Sequence, residues 1–198
     1  MKKVGIYSGS FNPIHIGHLA LANYLCEYEN FDEMWFVVSP VNPWKEGEKL
    51  LPYDFRLKLV ERSIEGYPHF KASDFESHLP QPSYTFHTME ELRATYPDTS
   101  FSLIVGADNW KKFRNWKNWQ EIVAHHDLYV YPRKGYSIDM TEPLPDYLHI
   151  VRSPILEISS TFIRQAIEDG RDIRFFVHPS IWQCLCDYYT NNNFTTNL

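Results

Sequence analysis

The chain reads as an α/β protein: a doubly wound, mostly parallel sheet with helices on both faces and a small helical part at the C-terminal end. Three observations predict this. Short apolar runs at Val4–Tyr7, Met34–Val38, Phe101–Val105 and Leu128–Tyr131 alternate with helical stretches, the order of β-α-β units. Those runs lack a polar alternate face, as strands covered on both sides must. With 43% hydrophobic and 22% charged residues in 198, the chain has enough apolar material for one self-sufficient core, which argues against disorder.

Val4-Gly5-Ile6-Tyr7 forms the first strand, and Ser8-Gly9-Ser10-Phe11-Asn12-Pro13 is a cluster of turn formers. From Gly17 the period becomes helical, with Leu19, Ala22, Tyr24, Leu25 and Cys26 on one side and Glu27 and Glu29 outside. Met34–Val38 is a second buried strand, closed by Ser39-Pro40. Pro40 to Pro52, rich in Pro, Asn, Gly and charge, is a loop. Tyr53 to Ile64 is a helix, and Phe70–Ser73 a third, edge-like strand. Ser83 to Tyr96 is a helix capped by Ser83 or Thr85. After the strand ending at Gly106, 109–124 is helical with interruptions. Leu128–Tyr131 is a strand stopped by Pro132, and Leu148–Val151 another. Ser160–Glu168 is a helix ended by Gly170, Ser180–Tyr189 a last helix, and 191–198 a frayed polar tail. No repeat or linker interrupts the series. The expectation is a single Rossmann-like domain over 1–198, with a sheet core at 1–152, a C-terminal turn and helices at 153–190, and the tail.

Nineteen Lys and Arg against 25 Asp and Glu leave a formal charge of −6. That balance argues against a nucleic-acid binder and against an anionic-membrane binder, since each needs a basic face. Cys26, Cys184 and Cys186 lack the spacing of a redox or zinc pair and read as half-buried thiols. The first residues hold too short an apolar run for a signal peptide, and no window reaches the length of a membrane span. The expected location is the cytoplasm.

In an open parallel sheet, ligands sit beyond the carboxyl ends of the strands. There lies Gly9-Ser10-Phe11-Asn12-Pro13-Ile14-His15-Ile16-Gly17-His18, between a buried strand and a helix. Gly9 and Ser10 let a ligand approach the backbone, and helix-start N–H groups attract phosphate. His15 and His18 can point at one spot and donate to phosphate oxygens as charge develops, and Gly17 leaves room there, since a side chain would crowd an incoming phosphate. This pattern resembles the His-x-Gly-His signature of the nucleotidyltransferase α/β superfamily. Downstream, Ile158-Ser159-Ser160-Thr161-Phe162-Ile163-Arg164 opens a helix with hydroxyls and an arginine one turn in. By itself Ser-Ser-Thr is an ordinary N-cap; paired with the first motif it suits β- and γ-phosphates.

The two motifs together resemble the bacterial nicotinate-nucleotide adenylyltransferases, from Lys3 to about Tyr189. The resemblance implies adenylyl transfer from ATP to nicotinate mononucleotide, giving deamido-NAD and pyrophosphate. It makes His15, His18, Lys45 and Arg164 catalytic. It assigns ATP to Gly9, Ser10, Phe11, Gly17, His18, Gly106, Asp108, Ile158, Ser159, Ser160, Thr161 and Arg164. The nicotinate nucleotide falls to Asn42, Lys45, Tyr84, Thr85, Trp116 and Arg133. These rest on Pro-Val-Asn-Pro-Trp-Lys at 40–45, Ser-Tyr-Thr at 83–85, Gly-Ala-Asp at 106–108, and the positions of Trp116 and Arg133.

Four positions depart from the family pattern: Asn12 for Asp, Ser10 for Thr, Trp44 for His and His87 for Asp. Among the tryptophans, Trp110, Trp116 and Trp119 recur at helix-like spacing, so two of them belong to the core, and motif position alone selects Trp116. Arg56, Arg62, Arg93 and Arg114 read as solvated helix charges. Mg²⁺ is expected to arrive on the ATP phosphates, with no dedicated metal cluster. Two alternatives stay open: another acceptor, such as nicotinamide mononucleotide or phosphopantetheine, and a non-catalytic nucleotide-binding module. Self-association also stays open.

Overall fold

A computed structural model describes residues 1–40, 50–138 and 143–193. Six strands, β1 (Lys2–Gly9), β2 (Glu33–Val38), β3 (Phe70–Ser73), β4 (Thr99–Gly106), β5 (Leu128–Tyr131) and β6 (Leu148–Ile150), form one sheet in the order β3-β2-β1-β4-β5-β6. Every pairing is parallel. The helices are α1 (Ile16–Tyr28), α2 (Tyr53–Ile64), α3 (Thr85–Thr95), α4 (Ala107–Trp110), α5 (Trp119–His125), α6 (Ser160–Glu168) and α7 (Pro179–Asn193).

Alternate residues of each strand enter opposite cores. On one face Tyr7, Phe36, Val38 and Tyr129 pack with Leu25 of α1, Leu59 and Val60 of α2, Ile163 of α6 and Leu185 of α7. On the other, Val4, Ile6, Trp35, Leu103 and Val130 pack with Met89 and Leu92 of α3, with Phe113 and with Ile122 of α5. A sheet covered on both faces needs apolar residues at every strand position, which is why the runs read as continuous. The strand order reverses between β1 and β4, so a crevice opens at their carboxyl ends, beyond Gly9 and Gly106.

Several local expectations change. The predicted cap of α3 is absent: Tyr84 occupies the cap position without a side-chain bond. The Ser83 hydroxyl instead meets Thr88 Oγ1 at 3.2 Å inside the fold. The 109–124 stretch divides into α4, a 3-10 turn at Phe113–Asn115 and α5, the last starting after Asn118 in the left-handed region (φ 51°). Phe75–His78 forms a 3-10 turn that the pattern did not suggest. The last helix runs past its expected end at Tyr189, with the α7 backbone helical through Asn193. The three cysteines are free and half-buried. Among the described residues no helix is long and apolar enough to cross a membrane.

Candidate active site

The turn after β1 is braced from three directions. Asn12 is buried, and its Oδ1 accepts from the Leu51 N–H at 2.9 Å. The Asn12 carbonyl accepts from Arg164 Nη1 at 2.8 Å, and the Pro13 carbonyl from the Ser160 hydroxyl at 2.9 Å. Segments 147 and 152 residues apart in the chain therefore meet on two adjacent carbonyls. Ser159 caps α6 by accepting from the Phe162 N–H, and Arg164 Nη2 donates to Thr161 Oγ1 at 3.3 Å. Ser159, Ser160, Thr161 and Arg164 stand beside the turn, outside the linings of the two cavities described next.

Arg56 overturns its expected role as a solvated charge. It is fully buried, and donates to the carbonyls of Leu51, Ser10, Ser39 and Pro40 at 2.6–3.0 Å. Helical position alone could not reveal this, because those carbonyls lie on three separate segments. The guanidinium fastens the turn after β1 to the end of β2. A buried cation is tolerable only with its donors satisfied, and burial lowers its pKa from the usual value.

Two cavities open at the crevice. The first is lined by His15, Gly17, His18, Arg133 and Ile158, with Tyr24, Ile155 and Leu156 at its apolar side. The second is lined by Ser8, Gly9, Ser39, Glu76, Ser83, Tyr84, Thr85, Gly106, Asn109, Asn115, Trp116 and Lys117. Tyr7 and Tyr131 line both, forming the shared wall. Their rings stand 6.0 Å apart near perpendicular, and the Tyr7 ring is 5.9 Å from that of His18.

In the first cavity the two imidazoles stack with centroids 3.7 Å apart and planes 23° from parallel. The His15 backbone N–H donates to His18 Nδ1 at 3.2 Å, so the neutral His18 ring keeps its proton on Nε2. Burial, then the charge of Arg133, lowers His15 to about 3. Burial, His15 and Arg133 push His18 well below its usual value. Both rings are neutral hydrogen-bond donors near pH 7. A Cβ on Gly17 would sit 3.1 Å from His15 ring atoms, so glycine preserves the stacked pair. Arg133 Nε lies 3.8 Å from Asp108 Oδ1, and both atoms are buried without a hydrogen-bond partner. A Cβ on Gly106 would come within 2.4 Å of Asp108 Oδ1. Such unpaired polar atoms beside a cavity are groups a polar ligand can satisfy.

The expected residues divide between the cavities in a way their order does not predict. Gly9 and Gly106, assigned to ATP, line the second cavity, while Arg133, assigned to the nicotinate nucleotide, lines the first. Phe11, also assigned to ATP, buries its ring at φ 42° against Tyr7 and His18, and Ser10 offers its carbonyl to Arg56. Trp110, Trp116 and Trp119 are all partly buried, but of the three Trp116 alone lines the second cavity. His87 is exposed on α3 and lines neither cavity. Asn42, Trp44 and Lys45 lie outside the described residues. Missed entirely were Glu76, Ser8, Ser39 and Lys117, for which no motif gave a signal, and the Ile155–Leu156 pair, an apolar interruption beside Pro154 that stays about half exposed. Among the described residues no cluster of three His, Cys, Asp or Glu could hold a metal ion.

A ligand crevice at the strand-order reversal belongs to nucleotide-handling α/β domains, and the paired imidazoles on a glycine-opened helix start narrow that class to the nucleotidyltransferases. Residues 6–166 match the model of the cytidylyltransferase-like family. A Bacteroides thetaiotaomicron protein is 54% identical over 186 residues, 94% of this chain and 92% of its own. One from Bacteroides fragilis is 56% identical over 181 residues, covering 91% and 90%. Both are named "probable nicotinate-nucleotide adenylyltransferase". The chain belongs to the cytidylyltransferase-like family and, within it, to the nicotinate-nucleotide adenylyltransferases. Its fold matches that of Plasmodium falciparum nicotinic acid mononucleotide adenylyltransferase complexed with NaAD, with a TM-score of 0.78 over 98% of this chain and 97% of the other at 21% identity.

Proposed function

We propose that the chain transfers the adenylyl group of ATP to nicotinate mononucleotide, releasing pyrophosphate and forming deamido-NAD. The observation that carries this reading is the pair of cavities sharing the Tyr7–Tyr131 wall, with the stacked imidazoles beside it. ATP fits the first, its base against Tyr24, Ile155 and Leu156 and its phosphates toward His18. The nicotinate nucleotide fits the second, its ring on Trp116 and its carboxylate at the N-terminus of α3, which no side chain caps.

A phosphate oxygen of the acceptor attacks the α-phosphorus, a new P–O bond forms, and the bond to the bridging oxygen breaks as pyrophosphate departs. The acceptor phosphate has a second pKa of about 6, so the nucleophile needs no strong base. Catalysis is then positioning and charge stabilisation. His18, neutral and protonated on Nε2, is the donor to the α-phosphate, and His15 holds its plane by stacking. Arg164, Ser160 and Thr161 fix the turn and flank the leaving pyrophosphate. Mg²⁺ enters as Mg-ATP and keeps most of its waters.

The deciding experiment measures pyrophosphate release from Mg-ATP with nicotinate mononucleotide, nicotinamide mononucleotide or phosphopantetheine. Strong preference for nicotinate mononucleotide is expected. Equal use of the acid and the amide would overturn the acceptor assignment, and ATP binding without turnover on any acceptor would leave a nucleotide-binding module.

A further inference from the structure

We infer that Lys117 is a specificity-determining residue, its ammonium favouring an acceptor that carries a carboxylate over one with a neutral amide. The inference deepens the acceptor assignment above and rests on it. Among the described residues lining the second cavity, Lys117 is the sole cation and Glu76 the sole carboxyl group; all others are neutral. Lys117 follows directly on Trp116, the ring proposed to carry the pyridine, and just precedes the left-handed Asn118 that starts α5.

The Lys117 ammonium lies 4.6 Å from the centroid of the Tyr84 ring. Tyr84 is the cap residue of α3 and has no side-chain capping bond. The ammonium is thereby drawn to the rim where the uncapped helix start already favours negative charge. No ion pair engages Lys117 among the described residues. Its charge is held near the cavity by an aromatic face, not neutralised by a carboxylate.

The one carboxyl group of the lining does not cancel this. Glu76 is buried and receives the Ser39 hydroxyl at 3.1 Å and, more weakly, the Ser8 hydroxyl at 3.4 Å. Burial pushes its carboxyl up to about 7, so around neutrality a substantial share is uncharged and repels an anionic acceptor less. The lining thus carries one full positive charge and one carboxyl group of muted negative charge, a balance that suits an acid. A neutral amide gains little from an ammonium at the rim.

The test uses the full chain at saturating Mg-ATP, with nicotinate mononucleotide and nicotinamide mononucleotide as paired acceptors. Lys117→Met keeps the aliphatic stem and removes the charge; Lys117→Arg keeps the charge. Expected for the methionine variant is a KM for the acid raised about tenfold, the scale of one charge-assisted contact at a partly exposed rim. Its KM for the amide should move much less, so the acid-to-amide ratio of kcat/KM falls about tenfold, while the arginine variant retains most of that ratio. A parallel fall with both acceptors would mean that Lys117 only props Tyr84, and would overturn the inference. So would an unchanged ratio in Lys117→Met when the wild type prefers the acid. A wild type with no acid preference would overturn the acceptor assignment itself, and the inference with it.

Discussion

The two cavities solve one electrostatic problem from opposite sides. In the first cavity, burial strips protons from bases: His15 is lowered to about 3 and His18 well below its ordinary value. In the second, burial keeps a proton on an acid, with Glu76 raised to about 7. Both walls become less charged near neutrality, yet both present polar hydrogens. The remaining charge sits at the edges, on Arg133 and Asp108 beside one cavity and Lys117 at the other.

The largest effect is expected from separating the cavities chemically. His18→Ala should lower kcat by about 10² to 10³, the usual loss for a transition-state hydrogen-bond donor, while ATP affinity changes little. Steady-state pyrophosphate release and an ATP titration measure the two sides; unchanged turnover would remove His18 from the chemistry.

Next comes the tie beneath both cavities. Arg56→Ala leaves four carbonyls, two buried and two part-buried, short of a donor and should destabilise the fold by about 3 kcal/mol. Arg93, on an exposed ion pair with Glu90, serves as the contrast: its alanine variant should unfold at nearly the same urea midpoint as the wild type. Urea unfolding compares them, and equal effects would mean that the Arg56 clamp contributes nothing special.

The sharpest test of the comparison is in pH. An imidazole that protonates near 6.5 in the unfolded chain but near 3 in the fold contributes stability that is whole above 6.5. That contribution drains away as the solution is acidified toward 3. Glu76, moved from 4.5 to about 7, contributes stability that is whole below 4.5 and lost as pH rises through 7. Urea midpoints taken across pH 3–8 should therefore show His15→Gln flattening the acid slope and Glu76→Gln flattening the slope between 4.5 and 7. If both variants flatten the same limb, the two cavities do not differ as described.

Much of the fold was legible because its signals are local. Tyr53–Ile64 and Phe70–Ser73 have the boundaries that periodicity predicts, and the apolar runs match the buried strands, since a two-sided sheet leaves no polar register. The errors sit where long-range contacts outrank local propensity. Ser83 looked like a cap, yet Thr88 draws its hydroxyl inward. Arg56 looked solvated, because an arginine on a helix ordinarily is; only the meeting of three loop segments gives its guanidinium four acceptors.

The chain by itself determined the sheet, the order of its helices, and the two helix-start motifs, because strand covering and helix-start chemistry are written in consecutive residues. Tertiary structure alone decided which cavity each motif residue faces, that Gly9 and Gly106 line the second cavity and Arg133 the first, and that Glu76 and Lys117 line the second. Those facts depend on the crevice between β1 and β4, which brings together side chains from segments far apart in sequence, and on a degree of burial that exists only once both layers of helices are in place.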